Sequence, residues 1–166
     1  MPISLVGSEM CIRDSTASEL AYFLKDATPR LFIARPDSAE GLKESAGAIG
    51  ALLLTLGHDG EGTLMDAVKA AEPQSGIAER GPDDIASIIY TSGTTGRSKG
   101  AMLSHDNLAS NALTLIDLWG FVENDVLLHA LPIYHVHGLF VAVHCAMLRG
   151  IPTVSYTHLT LPTISV

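Results

Sequence analysis

The sequence predicts an α/β fold, on three observations. Segments with apolar residues at helical three- and four-residue spacing alternate with short apolar runs rich in β-branched residues. Clusters of Gly, Pro and Asp separate these segments, as expected at turns. The chain has 166 residues, of which 47% are hydrophobic and 17% charged. This composition is typical of a folded protein that buries one core.

The first part of the chain predicts a helix followed by two buried strands. Ser18 is a candidate N-cap of the helix, and Pro29 lies just beyond its other end. The apolar runs LFIA, at residues 31–34, and ALLLTL, at residues 51–56, predict the strands. The second strand, with the helix predicted after it, would form half of a βαβ unit.

A glycine-rich turn and a further helix are predicted after the second strand. The turn GHDGEG, at residues 57–62, lacks the acidic spacing of a calcium loop, so we interpret it as a turn alone. The helix begins near Thr63, where Thr63 and Asp66 stand in a relation like a capping box. Residues 70–84 have no periodicity and several helix breakers, which predicts a surface connection.

The centre of the chain predicts two strands joined by a loop, followed by an amphipathic helix. IASIIY, at residues 85–90, runs into TSGTTGRSKG, and apolar residues return in AMLSH. Asp106 or Ser104 can cap the helix, Gly120 ends it, and capping or local hydrogen bonding is predicted for His105 and Asn107. One face of this helix carries Leu108, Ala112, Leu115, Ile116 and Trp119.

The last predicted elements are a long buried strand and an apolar helix. The strand covers residues 125–135, and the helix covers HGLFVAVHCAMLRG. Because this helix is apolar around nearly its whole circumference, it is expected to lie inside a protein larger than this chain. His144 and Cys145 are predicted core residues.

Composition excludes several classes of protein. The formal net charge of -8 argues against a nucleic-acid partner. The longest apolar stretches are too short for a membrane span. Cys11 and Cys145 lie far apart and lack metal-ligand spacing, so neither a disulfide framework nor a metal site is expected. The first residues do not resemble a secretory signal, which predicts a cytoplasmic protein, or a mitochondrial one if the source is eukaryotic.

Both ends of the chain resemble translated adapter or vector sequence. We therefore expect residues 1–15 and 154–166 to be non-native and residues 16–153 to be the natural sequence. The alternative is that the carboxyl-terminal segment is a genuine strand, since Tyr156, Leu159, Leu161 and Ile164 favour β structure.

The loop after Tyr90 has the residue types that bind a polyphosphate. Its glycines allow backbone N–H groups to converge on an anion, its hydroxyls add donors, and Arg97 and Lys99 add positive charge. The spacing is not that of a Walker P-loop, because Ser98 stands where its second glycine would be and Gly100 follows the lysine. The alternative is a polar hairpin without a ligand.

This segment, YTSGTTGRSKGAMLSHDNL, is similar to the phosphate-loop signature of the adenylate-forming superfamily of AMP-binding enzymes. Together with LLHALPIYHVHGLF, it resembles the malonyl-CoA synthetase branch of the acyl-CoA synthetases. Ser98 replaces the proline usual before the lysine. The resemblance implies that residues 16–153 are part of the N-terminal adenylation domain, in which a mixed sheet is flanked by helices.

The resemblance also implies site residues. The residues implied to hold the β- and γ-phosphates of ATP are Thr91, Ser92, Gly93, Thr94, Thr95, Gly96 and Lys99. In the motif PIYHVHG, His135 would border the acyl pocket and approach the α-phosphate, and His137 could neutralise the distal carboxylate of malonate. On a strand, two histidines spaced this way share a face. Such a pair would also suit a metal, although no third ligand is evident.

The implied parent enzyme joins a small carboxylic acid to ATP and then transfers the acyl group to coenzyme A, with Mg2+ as cofactor. Lys99 and His135 would be its catalytic residues, and the present chain alone would be inactive. The motifs for Mg2+, ribose and the catalytic lysine of the carboxyl-terminal domain are not in this sequence. Two alternatives remain open: another adenylating enzyme, for fatty, aryl or amino acids, or a non-enzymatic nucleotide-binding module.

Overall fold

The computed structural model describes residues 5–7, 17–73, 75–91, 98–133 and 135–155. Its helices and small sheets confirm the predicted α/β class. The chain divides into two compact units, one up to Arg80 and the other from Gly81 onward, and the division near the amino terminus passes through the short strand β1 (Leu5–Gly7). β1 lies within the end predicted to be non-native, a prediction that the structure does not test.

The first unit is built around a parallel β–α–β arrangement. Helix α1 (Ala17–Ala27) precedes β2 (Leu31–Ala34), α2 (Ala39–Ala48) connects β2 to β3 (Leu52–Thr55), and α3 (Thr63–Ala70) comes after β3. β2 and β3 pair in register from Leu31 opposite Leu52 to Ala34 opposite Thr55. The two strands therefore form where the apolar runs predicted them.

Buried apolar residues lie where the helices of this unit pack. Ala39 and Ala46 of α2 and Leu24 of α1 are buried, and α2 packs against both α1 and β3. The strands themselves are less covered than predicted. Leu31 and Ile33 of β2 are exposed, and the Leu52 side chain on β3 is 60% exposed.

Both predicted N-caps in this unit are wrong. Helix α1 begins at Ala17, so Ser18 lies inside the helix instead of preceding it. Helix α3 has Gly62 as its N-cap and no side-chain cap. Thr63 instead forms reciprocal hydrogen bonds with Thr55: each backbone N–H donates to the other residue's Oγ1, at 2.9 and 3.0 Å.

Those two hydrogen bonds close the turn at residues 57–62. Within the turn, the Glu61 carboxylate accepts a hydrogen bond from the Asp59 backbone N–H at 3.1 Å. The acidic side chain therefore serves the turn itself, in agreement with the interpretation of this segment as a turn. The described residues of the connection after α3, up to residue 84, lack regular structure and are exposed, as predicted.

The second unit contains an antiparallel hairpin, two helical segments and a parallel strand pair. β4 (Ile85–Thr91) pairs with β5 (Lys99–Ser104), and α4 (His105–Trp119) begins directly after β5. β6 (Leu127–His129) pairs in parallel with β7 (Thr153–Ser155). Between them lie a π-helix (His137–Val143) and, continuous with it, α5 (His144–Arg149).

The core of this unit lies between α4 and α5. Ala112, Ile116 and Cys145 are buried together, and Leu115 and Phe121 pack against them. The Cys145 Sγ donates to the Ala112 carbonyl oxygen across 3.6 Å. The apolar face predicted for α4 is thus the buried face, and Cys145 is the core residue predicted, whereas Trp119 at the end of that face stays exposed.

Helix α4 has the N-terminal and C-terminal residues that the sequence predicts. The Ser104 Oγ accepts from the Asn107 backbone N–H, and the Asn107 Oδ1 accepts from the Ser104 N–H, which together form a capping box. Gly120 ends the helix with a φ of 68°, a left-handed conformation that glycine adopts without a Cβ penalty.

The long strand predicted at residues 125–135 is wrong in its length. β6 covers only Leu127–His129. Pro132 has no backbone N–H to donate to a strand partner, and its carbonyl accepts from the His135 N–H at 3.1 Å, which turns the chain. The apolar helix after it is present, but its first seven residues are π-helical.

Val154 and Ser155 of β7 belong to the other segment predicted to be non-native, and residues 156–166, with the proposed alternative strand, lie outside the described residues. In the part of the chain that the structure describes, no helix is long and apolar enough to cross a membrane.

Candidate functional site

The β4–β5 hairpin places two predicted site residues directly opposite each other. Thr91 is the last residue of β4, Lys99 is the first of β5, and the register pairs them. Directly opposite residues of an antiparallel pair have Cβ atoms about 4.5–5.5 Å apart and project from the same face. Both residues are exposed. The hairpin therefore presents a hydroxyl and an ammonium group together at the base of the intervening loop.

The next pair along the hairpin, Tyr90 and Gly100, anchors it from the other face. The Tyr90 side chain is 8% exposed. A Cβ on Gly100 would lie 3.1 Å from Tyr90 Cε1 and 2.9 Å from Ile88 Cγ2. These contacts are tighter than ordinary van der Waals packing, so the Tyr90 ring lies directly against the Gly100 backbone. Because side chains alternate along a strand, Thr91 and Lys99 lie on the face opposite to Tyr90. That face is buried at Ile89 and becomes exposed at Thr91, where β4 ends.

The remaining phosphate-binding residues predicted, Ser92, Gly93, Thr94, Thr95 and Gly96, lie outside the described residues, as does Arg97. Lys99 and Gly100 begin β5, so a strand follows the loop, as predicted from the apolar residues that return in AMLSH.

The backbone N–H groups at the N-terminus of α4 already donate hydrogen bonds within the protein and are not available to an anion. The His105 N–H donates to the Asp84 carbonyl at 3.0 Å, and the Asp106 N–H donates to the Pro82 carbonyl at 2.9 Å. The Ser104 Oγ accepts a hydrogen bond from the Asn107 N–H. Any phosphate bound at the hairpin must therefore rely on the loop and on Lys99, without help from this helix end.

The two histidines of the second predicted constellation do not share a strand face. His135 is half-buried in the turn after Pro132, and His137 is exposed at the first residue of the π-helix. The prediction of a strand pair is wrong because the chain turns at Pro132 and is helical from residue 136 onward. Among the described residues, no group of three or more His, Cys, Asp or Glu could hold a metal ion.

The His135 backbone is held on both sides. Its N–H donates to the Pro132 carbonyl at 3.1 Å, and its carbonyl accepts from the Leu139 N–H at 2.9 Å. Gly138 is buried and packs against the same Pro132 carbonyl: a Cβ on Gly138 would lie 2.3 Å from that oxygen. The turn that carries His135 therefore rests on a residue without a side chain.

His129 lies behind this turn. Its Cε1 is 3.4 Å from the position a Gly138 Cβ would take, and its side chain is 3% exposed. Neither ring nitrogen has a hydrogen-bond partner, and the same holds for the buried Nδ1 of His144. A polar ring without partners is unusual in a protein interior. Sequence reasoning did not single out His129 or Gly138, although a histidine inside the apolar run LLHALP was the available signal for the former.

Burial raises the pKa of the Cys145 thiol, and a backbone hydrogen bond lowers it by less. The thiol is therefore neutral at physiological pH and is not an activated nucleophile.

Comparison with known proteins identifies a family. A family model described as "AMP-binding enzyme" matches residues 10–164. The chain is 37% identical over 140 residues to the mitochondrial malonate–CoA ligase ACSF3 of Bos taurus, covering 83% of this chain and 23% of that protein. It is 35% identical over 130 residues to the malonate–CoA ligase of Arabidopsis thaliana, covering 76% of this chain and 21% of that protein.

Two solved structures that are similar to this chain contain bound nucleotides. ATP-bound MatB from Rhodopseudomonas palustris is 52% identical with a TM-score of 0.77, covering 86% of this chain and 28% of that one. A malonyl-CoA ligase in a ternary product complex with methylmalonyl-CoA and AMP is 30% identical with a TM-score of 0.62, with the same coverage. The chain thus spans about a quarter of the length of these relatives.

Proposed function

This chain belongs to the AMP-binding enzyme family, and from that membership we propose that it is part of an ATP-dependent acyl-CoA ligase. Malonate is the acid that we propose as substrate. Since the chain spans about a quarter of its relatives, the activity is proposed for the whole parent protein. We place this parent in the cytoplasm, or in mitochondria if the source is eukaryotic, as several relatives described as mitochondrial suggest.

The observation that carries the proposal is the pairing of Thr91 with Lys99 at the mouth of the loop. In a chain with a net charge of -8, a polyanion needs a local cation, and the hairpin presents one beside a hydroxyl on an exposed face. We propose that the loop residues Ser92, Gly93, Thr94, Thr95 and Gly96 add backbone and hydroxyl donors around the β- and γ-phosphates of ATP.

The proposed reaction has two steps. A carboxylate oxygen of the acid attacks the α-phosphorus of ATP, and the bond from that phosphorus to the oxygen bridging to the β-phosphate breaks. Acyl-AMP and pyrophosphate result. The sulfur of coenzyme A then attacks the acyl carbonyl carbon, its thiol proton is released, and AMP leaves. Lys99 and the loop donors stabilise the charge that develops on the departing pyrophosphate in the first step.

His135 is proposed to act at the acid. His135 is half-buried in the turn and so partly accessible, and its imidazole can donate a hydrogen bond to a carboxylate or to an α-phosphate oxygen. His137 is exposed and lies two residues on, in the π-helix, so the two rings do not act as a strand pair. We retain His137 as a proposed contact for the second carboxylate of malonate.

Mg2+ would neutralise charge on the ATP phosphates. The described residues contain no cluster of carboxylates or histidines that could hold this ion. ATP and coenzyme A are substrates of the proposed ligase.

The test of the ATP site is a Lys99→Met substitution in the full-length parent protein. Loss of one charged donor to a developing anion is expected to lower acid-dependent ATP–pyrophosphate exchange by about 100- to 1000-fold. Lys69→Met, on the exposed part of α3 in the other unit, is the matched control and should exchange at the wild-type rate. An undiminished rate in Lys99→Met would overturn the assignment.

The acid is tested by comparing malonate with methylmalonate, oxalate, acetate, a fatty acid, an aryl acid and an amino acid in the same assay. Malonate is expected to give the highest kcat/KM, and His137→Ala is expected to raise the KM for malonate without changing that for acetate. A preference for a fatty, aryl or amino acid would replace malonate by one of the other adenylating activities. ATP binding with no acid-dependent exchange would favour a non-enzymatic nucleotide-binding module.

A further inference from the structure

We propose that Gly138 is a positioning residue for His135, acting through the carbonyl oxygen of Pro132. The inference rests on the proposed function only in assuming that His135 contacts the acid or the α-phosphate. Gly138 itself is buried and has no side chain with which to contact a substrate.

One carbonyl links Gly138 to His135. The Pro132 oxygen accepts the His135 N–H at 3.1 Å and is also the nearest atom to the position of a Gly138 Cβ, at 2.3 Å. The Pro132 carbonyl carbon would lie 2.9 Å from that Cβ. Both atoms belong to the backbone, so a methyl group at residue 138 cannot be accommodated by rotating a side chain.

The Pro132 carbonyl is the group that must move if residue 138 gains a methyl. On its other side, the Gly138 Cβ position is 3.4 Å from the Cε1 of His129, an ordinary contact distance. Among the residues that the structure describes, the steric conflict therefore falls on the Pro132 carbonyl. Moving that carbonyl releases or redirects the His135 N–H, while the Leu139 N–H still holds the His135 carbonyl from the helix side. The result is a rotation of His135 between its two hydrogen bonds.

Such a rotation would affect the acid more than the nucleotide. A misplacement of about 1 Å in a positioned group can lower a rate by about 100-fold. The ATP-binding hairpin does not include Gly138 or Pro132, so the two substrates should respond differently. A purely structural role would instead reduce the fraction of active protein and leave both KM values unchanged.

The experiment compares Gly138→Ala with the wild-type full-length parent. We expect the KM for malonate to rise and the rate of ATP–pyrophosphate exchange to fall, by about 10- to 100-fold in kcat/KM for the acid. The KM for ATP should rise by a smaller factor than the KM for malonate, since the β- and γ-phosphates are proposed to bind at the separate β4–β5 hairpin. Gly150→Ala is the matched control: Gly150 ends the same helical segment with a φ of 74° and has open space around its Cβ position. It should lose stability and keep both KM values.

A second readout does not depend on activity. Hydrogen–deuterium exchange of the peptide containing residues 133–139 should be faster in Gly138→Ala, and that of residues 99–110 should be unchanged. Faster exchange in a parent without acid-dependent activity would overturn the proposed function while supporting the link from Gly138 to the turn. If Gly138→Ala does not fold, Pro132→Ala serves instead: it adds no heavy atom, frees the backbone that the proline ring restricts next to the same carbonyl, and should shift the same constants by a smaller factor. Wild-type constants and exchange in a folded Gly138→Ala or Pro132→Ala protein would overturn the inference.

Discussion

Position on a strand decides which residues of the hairpin can meet a ligand. Thr91 and Lys99 are paired at the open end of the hairpin and are exposed there, whereas Ile89, on the same face of β4, is buried. Next to this pair, the Tyr90 ring packs against Gly100. Substitutions at the contact between Tyr90 and Gly100 should affect stability first.

Gly100→Ala is expected to destabilise the protein. The added methyl would meet Ile88 Cγ2 at 2.9 Å and the Tyr90 ring at 3.1 and 3.2 Å, which forces those side chains to shift. Overpacking of this kind costs about 1–3 kcal/mol. Gly47→Ala is a control with the opposite expected sign, since Gly47 lies in α2 with open space around it, and alanine in a helix is favoured by about 0.5–1 kcal/mol. Urea denaturation of each variant measures both; no loss in Gly100→Ala would contradict the packing described.

Cys145 is expected to resist alkylation while the protein is folded. Its side chain is fully buried, and burial raises the pKa of the thiol. As the pH rises, the unfolded thiol ionises first, so the unfolded state binds fewer protons and the free energy of unfolding falls through the interval between the two pKa values. Below that interval this contribution is constant.

Alkylation tests the burial of Cys145. Iodoacetamide labelling followed by peptide mass spectrometry should modify Cys145 in urea and not in native buffer; native labelling at neutral pH would contradict its burial.

Several residue assignments could be predicted from the sequence alone, and others could not. Ser104, Asn107 and Gly120 were predictable because caps depend on neighbours within a few residues. The Thr55–Thr63 pair and the contact of Gly138 with Pro132 depend on how the backbone returns on itself, which local spacing does not encode. Ser18 failed for a smaller reason, since the helix begins at Ala17, two residues before the start that a Ser18 cap predicts.

At the scale of elements, the capping box of α4 is expected to contribute measurably to stability. Ser104→Ala removes the acceptor of the Asn107 N–H and should lower the free energy of unfolding by about 0.5–2 kcal/mol, whereas Ser104→Gly should cost only a few tenths. Asn107→Ala removes the reciprocal acceptor of the Ser104 N–H. Because the two interactions share one turn, the double variant should lose less than the sum of the single losses. Additive losses in urea denaturation would show that the two hydrogen bonds are independent.

Element type proved easier to predict than element length. Apolar runs located β2, β3 and β4, and the three- and four-residue spacing located α4. The run at residues 125–135 suggested one long strand, because an apolar stretch has the same appearance in a strand and in a turn leading to a helix. Pro132 was the signal against it. The π-helical start of the last helix could not be predicted, since apolar residues on every side carry no information about hydrogen-bond spacing.

At the scale of the whole molecule, each unit leaves apolar side chains exposed on its strands. In the first unit Leu31, Ile33 and Leu52 are exposed on the parallel pair. In the second, Leu128 and Val154 are directly paired and are 63% and 50% exposed. Sheets built on βαβ connections are usually covered on both faces. The apolar pattern of the sequence predicted buried strands, and the structure shows which of their apolar side chains are exposed in this chain.

We predict that the 166-residue chain by itself binds hydrophobic dye and does not catalyse acid-dependent ATP–pyrophosphate exchange. Exposed apolar strands favour dye binding and self-association. Catalysis should fail for a separate reason. Of the groups that the proposed adenylation step needs, only the proposed phosphate loop and His135 are assigned to this chain, and the groups for ribose and Mg2+ and the catalytic lysine have no assigned residue in its sequence. The full-length parent is the control and should exchange pyrophosphate with little dye fluorescence. Robust exchange by the purified chain would show that residues 16–153 contain a complete adenylating site, and the assignment of missing groups to the parent would then be wrong.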